Sequence, residues 1–293
     1  MEATIETPIH EFPEPDGPRY RITVLRAGTF RLDGGGMFGL IPKSMWSAWT
    51  PADAENRIGL ATNCLLLEDG TRRVLVETGY GDKWSPKERA IYALAERTVV
   101  DSLREVGVEP EAIDDVVVTH LHFDHAAGLT RLDARGDPVP TFPRARIHVQ
   151  RREWDDALAN RSTMTRTYLA SHLGPIRERV ALHEGVAQVL PGVAVAPLVG
   201  HTWGQQGVFV RDASGTLTVF PADLMPTVHH AHLAASMAYD MLPYDNMLTK
   251  RSFLAKAADR GWTLVLDHEP NTPRVRVTRD PRDASRCLLE PLA

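Results

Sequence analysis

Residues 116–125 read Val-Val-Val-Thr-His-Leu-His-Phe-Asp-His, a short β-branched run followed by four potential metal ligands. The valines are typical of a buried strand. Alternate side chains of an extended segment face the same way, so His120 and His122 can converge on one ion at the strand end. Asp124 and His125, reached as the chain turns toward a helix, can point to a second position. Because zinc accepts imidazole and carboxylate ligands, this stretch predicts a metal site.

Three later residues of ligand type also stand at the ends of predicted strands. His201 follows an apolar run that begins near residue 193, Asp223 follows the run 217–220, and His268 ends a run that begins at Trp262. Loops gather at one edge of a sheet, so we expect these side chains to meet the first four.

The remaining pattern is that of a layered α/β protein. Asp69-Gly70 separates two β-like runs and predicts a hairpin. The glycines at 34–36 predict a loop. Apolar residues at three- and four-residue steps predict helices over 86–107 and about 246–260. Many strands before and between helices favour helices packed outside paired sheets.

Composition excludes several classes of protein. The net charge of −5 offers no basic field for a nucleic acid. No glycine group has the spacing of a phosphate-binding loop. Two cysteines are too few for a disulfide framework, no apolar run could span a bilayer, and the first residues are acidic where a signal peptide is basic. We therefore expect a cytoplasmic protein with neither nucleic acid nor membrane as a partner.

The chain ends are predicted to lie outside the catalytic unit. Residues 1–17 contain Pro-Glu and Pro-Asp pairs and few groups that could pack, which predicts a flexible arm. We expect one hydrolase domain over 18–275 and a C-terminal tail over 276–293. A homodimer is among the assembly states that the sequence leaves open.

Taken together, these motifs over about residues 20–270 resemble the metallo-β-lactamase superfamily of dinuclear hydrolases. The resemblance implies an αββα sandwich, with two mixed β-sheets flanked by helices and the metal site at the loop edges of the sheets. It implies two divalent metal ions, expected to be Zn²⁺. The implied ligands are His120, His122 and His201 for one ion and Asp124, His125 and His268 for the other, with Asp223 bridging both.

A narrower resemblance involves three further segments. Residues 33–43 (Asp-Gly-Gly-Gly-Met-Phe-Gly-Leu-Ile-Pro-Lys), 223–227 and 238–240 look like those of bacterial quorum-quenching lactonases, and more distantly of phosphotriesterases of the parathion-hydrolase type. Two departures stand out. Glu77-Thr78-Gly79 replaces the usual Asp-Thr-Gly, and Pro226 stands where the lactonases carry a tyrosine. The role of that tyrosine is therefore either absent or performed by another residue, and Tyr239 and Tyr244 are the candidates.

The resemblance implies a hydroxide that bridges two ions and attacks a neutral ester, since metal binding lowers the pKa of water from 15.7 to roughly 7. Asp124 is the predicted catalytic residue, which would orient that nucleophile and carry a proton to the leaving group. We expect a small lactone of the N-acyl homoserine lactone kind. A phosphotriester or aryl ester is the alternative substrate, and a non-catalytic metal-binding protein is the rival class. Predicted substrate-pocket residues are Met37, Phe38, Trp46, Trp203, His230 and Tyr239.

Overall fold

A computed structural model describes residues 12–164 and 167–292. In chain order the strands are β1 (Arg21–Asp33), β2 (Arg57–Glu68), β3 (Arg73–Val76), β4 (Asp115–Val117), β5 (Thr130–Leu132), β6 (Pro138–Pro140), β7 (Arg146–Gln150), β8 (Val180–His183), β9 (Ala187–Leu190), β10 (Val193–Pro197), β11 (Gln206–Arg211), β12 (Leu217–Phe220), β13 (Thr263–Val265), β14 (Arg274–Asp280) and β15 (Asp283–Pro291).

The helices are mostly short. They are α1 (Gly34–Phe38), α2 (Lys43–Trp46), α3 (Pro86–Tyr92), α4 (Val99–Glu105), α5 (Phe123–Ala126), α6 (Arg151–Leu158), α7 (Ala170–Leu173) and α8 (Pro243–Arg260). Short 3₁₀ turns lie at Pro110–Ala112, Ala127–Leu129, Gly174–Arg179, Ala222–Leu224 and Val228–Ala231. No helix in the described part of the chain is both long and apolar enough to cross a bilayer.

Two mixed sheets form the centre of the fold. The first has the strand order β1-β2-β3-β4-β7-β8, antiparallel up to β3 and parallel beyond it. The second has the order β15-β14-β13-β12-β11-β10-β9, with one parallel pair, β12 and β13, among its antiparallel neighbours. A separate hairpin joins β5 to β6.

Alternation along the strands builds three apolar layers. Leu65 and Leu67 of β2 join Val208 and Val210 of β11 in a cluster between the sheets. The intervening Leu66 points to the opposite face, where α4 and α6 contribute to another cluster. A third cluster packs α8 against the outer face of the second sheet. This period-two burial gives the order helix, sheet, sheet, helix, and the predicted αββα sandwich is confirmed.

Several local predictions are confirmed. The Asp69-Gly70 hairpin joins β2 to β3, and Val116 and Val117 lie in the buried strand β4. The helix predicted from about residue 246 is α8, which begins three residues earlier with Pro243 in its first turn.

The predicted helix over 86–107 is wrong, because the chain forms two helices there. Ala93 adopts a left-handed conformation, with φ of 46°, and ends α3. Thr98 and Asp101 form a capping box that starts α4. The capping signal therefore overrides the continuous apolar spacing. The glycines at 34–36, expected in a loop, lie in α1, whose first turn is capped by the Asp33 side chain.

Both chain ends differ from expectation within the described residues. Phe12 packs at 5.7 Å from the rings of Phe253 and Trp262, and the Asp16 carbonyl accepts a hydrogen bond from the amide of Gly192. Residues 12–17 thus pack on the second sheet, whereas residues 1–11 of the expected arm lie outside the described residues. The expected tail over 276–293 is instead mostly β14 and β15, because alternating buried residues let it extend the second sheet.

Candidate metal centre

The seven predicted ligands come together at one edge of the two sheets. The histidine pair follows β4, and α5 begins directly after His122, which places Asp124 and His125 in its first turn. His201 follows β10, Asp223 lies in the 3₁₀ turn after β12, and His268 follows β13. Each ligand loop therefore leaves the end of a buried strand, as the sequence predicts.

Three buried histidines form the first group. The ligand atoms of His120, His122 and His201 all lie within 4.8 Å of one another, and His201 Nε2 is 2.9 Å from His122 Nδ1. The outer nitrogens of two rings are engaged elsewhere: His120 Nδ1 lies 3.1 Å from Thr119 Oγ1, and His201 Nδ1 lies 2.9 Å from Asp240 Oδ1. Those contacts leave Nε2 of both rings directed at the group.

A second buried group lies beside the first, and Asp223 faces both. It contains His125, Asp223, Asp267 and His268. His268 Nε2 is 3.2 Å from His125 Nε2 and 3.3 Å from Asp223 Oδ1. The other oxygen of Asp223 is 3.1 Å from His201 Nε2. One carboxylate therefore lies between the two groups, in the position of a bridge.

Asp124 approaches the second group from the side of the pocket. Its Oδ2 lies 3.5 Å from His268 Nε2 and its Oδ1 lies 3.8 Å from His125 Nε2. The tighter group contains Asp267 instead, whose Oδ2 is 3.7 Å from His268 Nε2. Asp267 also accepts a hydrogen bond from the amide of His268. Sequence reasoning passed over Asp267, although it directly precedes a predicted ligand at a strand end.

The two groups fit a pair of divalent cations. Within the described residues, His120 Nε2 and His122 Nε2 are buried without a hydrogen-bond partner. A buried polar atom left in this way costs about 1–3 kcal/mol, and a shared cation removes that cost. Imidazole and carboxylate together are a donor set that suits Zn²⁺.

Electrostatics divide the histidines into two kinds. Burial and the neighbouring histidines hold the pKa of His120 and of His122 well below the ordinary value. Burial acts in the same direction on His268, but Asp267 and Asp223 raise its pKa to about 9. Burial would raise the pKa of Asp223, yet the facing histidines hold it well below its usual range. His120 and His122 are therefore neutral and ready to bind a cation, whereas Asp223 and Asp240 raise the pKa of His201 against the opposing effect of burial. Asp223 is ionised.

Glu77 supports the second group from behind. Its Oε2 lies 3.2 Å from His125 Nδ1, and its Oε1 accepts a 2.7 Å hydrogen bond from the amide of Thr119. The longer side chain that replaces the usual aspartate thus reaches a ligand and the segment that carries His120. Partners of this kind fix the orientation of metal-binding histidines.

A largely apolar pocket opens onto the metal centre. It has a volume of about 720 Å³ including its open mouth, and His122, Asp124, His201, Asp223 and His268 form its floor. Its walls contain Leu32, Met37, Tyr92, Phe123, Ser162, Thr163, Met164, Thr167, Met237, Tyr239 and Met241. The methionines other than Met37 were not predicted, because they belong to loops whose direction no sequence periodicity reveals.

Met37 and Tyr239 line the pocket as predicted, whereas the other four predicted pocket residues do not. Phe38 and Trp46 are buried and stack on each other 5.7 Å apart. His230 is also buried, and its ring nitrogens contact Thr227 Oγ1 and the Met37 carbonyl. These three side chains support the segment of Met37 from behind.

Trp203 lies outside the pocket lining for a different reason. The guanidinium groups of Arg152 and Arg161 lie over its ring, 5.9 and 4.1 Å from the centroid. The indole is thus directed toward these cations of the α6 region, and it is not among the side chains that line the pocket.

Comparisons with known proteins agree with this geometry. Residues 57–268 match the model of the metallo-beta-lactamase superfamily. The N-acyl homoserine lactonase AiiA of Bacillus thuringiensis subsp. kurstaki is 30% identical over 186 residues, which cover 59% of this chain and 67% of the relative.

Two solved structures extend the similarity to almost the whole chain. A probable metal-dependent hydrolase from Staphylococcus aureus superposes with a TM-score of 0.84 at 26% identity, covering 94% of this chain and 98% of the other. AidC, a dizinc quorum-quenching lactonase solved with the product N-hexnoyl-L-homoserine, gives a TM-score of 0.75 at 17% identity and covers 97% of this chain and 98% of its own. At that identity the second likeness concerns the fold.

Proposed function

Because the chain belongs to the metallo-β-lactamase superfamily and is a metal-dependent hydrolase, we propose that it opens a lactone that carries an apolar acyl chain. The observation that carries this proposal is the pocket, where methionine and other apolar side chains surround an opening onto the metal ligands. Apolar walls favour a neutral substrate with a hydrocarbon tail. The name of the AiiA relative, an N-acyl homoserine lactonase, supports the same class.

The proposed metal centre uses the seven residues predicted from the sequence. His120, His122 and His201 would hold one Zn²⁺, and Asp124, His125 and His268 the other, with Asp223 between them. When bound, two such ions supply an activated water at neutral pH and polarise the scissile carbonyl. The protein then has to orient the substrate, keep bulk water out and return a proton to the leaving oxygen.

Asp124 is placed to move that proton. The residue is 8% exposed, and its carboxylate faces both the pocket and His268. Ring opening of a lactone leaves an alkoxide, which must gain one proton to become the product hydroxyl. We propose that Asp124 receives the proton from the attacking water and delivers it to that oxygen.

Tyr239 is proposed to hold a substrate oxygen by a hydrogen bond. It lines the pocket, and burial together with Asp33 and Asp124 raises its pKa to about 12, so the phenol is a donor at neutral pH. Its neighbour Asp240 is hydrogen-bonded to His201, to the amide of Met237 and to Asn246. The tyrosine is therefore attached to a segment that also orients a metal ligand.

Gly36 makes room for this phenol. A Cβ at position 36 would lie 2.3 Å from Tyr239 Oη, and the amide of Ala238 bonds the Gly36 carbonyl. Gly36 therefore leaves the space that the hydroxyl occupies. This contact gives a physical reason for glycine in a segment that resembles the lactonases.

We expect Tyr239→Phe to lower kcat/KM for an acyl lactone about 10- to 100-fold, which is the value of one hydrogen bond to a charged group, about 1.5–3 kcal/mol. The loss should be smaller for a p-nitrophenyl ester, whose leaving group is stable without a donor. Steady-state rates at equal metal content measure both effects.

Tyr244→Phe is the matched control, because Tyr244 is 54% exposed on α8 and does not line the pocket. Equal losses in the two variants would contradict a role for Tyr239. A loss of the same size for the acyl lactone and the p-nitrophenyl ester would contradict it too.

A substrate panel tests the proposed function itself. We expect acyl lactones to exceed paraoxon-like triesters in kcat/KM by at least about tenfold, or roughly 1.4 kcal/mol of transition-state preference. The metal can hold the charge that develops on a planar carbonyl oxygen, and the apolar wall accommodates the acyl tail. Side-by-side assays with the same metal, with an aryl ester as a third substrate, give the ranking. The reverse order would overturn the choice of a lactone as the substrate and would instead indicate a hydrolase of phosphotriesters.

A further inference from the structure

Glu153 is a fully buried carboxylate that the proposed chemistry does not use. It lies in the first turn of α6 and is 0% exposed. Among the described residues its Oε1 accepts hydrogen bonds from the amide of Leu121 at 3.0 Å and from Tyr168 Oη at 3.1 Å, and its Oε2 accepts one from Thr202 Oγ1 at 2.6 Å. A carboxylate held this deeply needs such donors, because burial alone opposes its charge.

Two of these donors belong to the segments that carry the three-histidine group. Leu121 stands between His120 and His122, and Thr202 follows His201. One side chain therefore connects two ligand segments that are about 80 residues apart in the chain.

The loop after His201 packs tightly against the start of α6. A Cβ at Gly204 would lie 2.2 Å from the amide nitrogen of Glu153 and 2.5 Å from its Cα. Only glycine permits this approach, which keeps Thr202 within reach of the carboxylate. The loop and the helix start therefore form one rigid unit around Glu153.

The third donor connects the same unit to the substrate pocket. The Tyr168 ring lies 5.1 Å from the ring of His122, and the adjacent Thr167 lines the pocket together with residues 162–164. Tyr168 thus contacts a metal ligand with its ring and Glu153 with its hydroxyl. A pocket wall is in this way attached to the three-histidine group.

We infer that Glu153 is a positioning residue: it holds His120, His122 and His201 in metal-binding geometry and couples them to the pocket wall through Tyr168. The inference rests on the proposed metal centre but not on the choice of a lactone. It assigns Glu153 no contact with an ion, since its carboxylate belongs to neither group of ligand atoms. Its effect must therefore be selective for the ion that the three histidines hold.

The test compares the affinities of the two ions in Glu153→Gln. Replacing the carboxylate by an amide turns one of its accepting oxygens into an NH₂ group, which would face a group that is itself a hydrogen-bond donor. We expect one of the two ions to bind about 10- to 100-fold more weakly, as is typical when an outer partner of metal-binding histidines is lost. The other ion should bind within about twofold of wild type. Competition titration with Zn²⁺ and a chelator, and the absorption spectrum during Co²⁺ titration, give both affinities without an activity assay.

Glu184→Gln is the matched control, because Glu184 is an exposed carboxylate paired with Arg151 on the surface. Tyr168→Phe removes a single donor, and we expect a smaller weakening of the same ion with a higher KM for acyl lactones. Should Glu153→Gln fail to fold, Thr202→Val removes the 2.6 Å hydrogen bond alone and is expected to show the same selective loss.

The measured affinities distinguish a failure of the inference about Glu153 from a failure of the proposed metal centre. Wild-type affinity for both ions in Glu153→Gln, or in Thr202→Val where the first variant does not fold, would overturn the inference. Equal weakening of both ions would also overturn it, because a merely structural role lowers the two together. A wild-type protein that binds no ions would instead remove the proposed metal centre, which is a separate failure.

Discussion

An Asp223→Ala variant is expected to lose both metal and turnover. The Asp223 carboxylate lies 3.1 Å from His201 Nε2 with one oxygen and 3.3 Å from His268 Nε2 with the other, so its removal takes the proposed bridging carboxylate from both groups at once. We expect metal content to fall below two ions per chain and kcat/KM to fall by more than about 100-fold, beyond the cost of losing a residue that only supports a ligand. Elemental analysis of protein purified without chelator and lactone assays give both values.

The control for this variant is Asp137→Ala, which removes an exposed aspartate from the turn between β5 and β6. It should keep both ions and full activity. Circular dichroism must show that Asp223→Ala is folded, because the substitution leaves buried histidines without their anion. A folded Asp223→Ala enzyme that keeps two ions and full activity would contradict the bridging assignment.

The candidate ligands were predictable because they follow the strongest periodic signals in the chain. Buried β-strands are recognisable by their β-branched runs, and the ends of neighbouring strands meet at one sheet edge. His120, His201 and His268 follow three such strands, one in the first sheet and two in the second. No side-chain packing had to be known to expect that they would meet.

The substrate pocket was less predictable because loop direction decides it. Phe38 and Met37 are adjacent in the short helix α1, yet Met37 lines the pocket while Phe38 stacks against Trp46 behind it. Composition alone assigns both residues to an apolar wall. Their separation depends on the orientation of α1, a short helix whose first turn the Asp33 side chain caps through the amide of Gly36.

Residues that support the ligands were missed for a related reason. Along the chain, Glu153 and Asp240 lie 31 or more residues from the nearest histidine that each of them positions. Nothing in their local sequence marks them as buried acceptors. The sequence marks Glu77 as a departure from a family motif, but its contact with His125 depends on the exact reach of the side chain. Long-range hydrogen bonds of this kind follow from the tertiary structure, which local sequence patterns do not reveal.

An Asp124→Asn variant should separate metal binding from proton transfer. The amide keeps the size of the side chain but cannot accept and release a proton at neutral pH. Asp124 lies at the pocket side of the second group, 3.5 Å from His268 Nε2, whereas the three-histidine group does not include it. We therefore expect at least one ion to remain bound, with kcat reduced about 10²- to 10⁴-fold, the range of general acid–base catalysis.

A comparison of two substrates tests the proton-transfer role of Asp124 more directly. An alkyl lactone needs a proton on its departing oxygen, but a p-nitrophenyl ester does not, so the loss in Asp124→Asn should be larger for the lactone at equal metal content. Asp137→Asn is the matched control and should behave as wild type. A reduction of less than about tenfold in a metal-loaded variant would argue against the proton role. A uniform loss across both substrates would assign Asp124 to metal binding alone, because a ligand that only holds the ion affects every substrate that the ion activates.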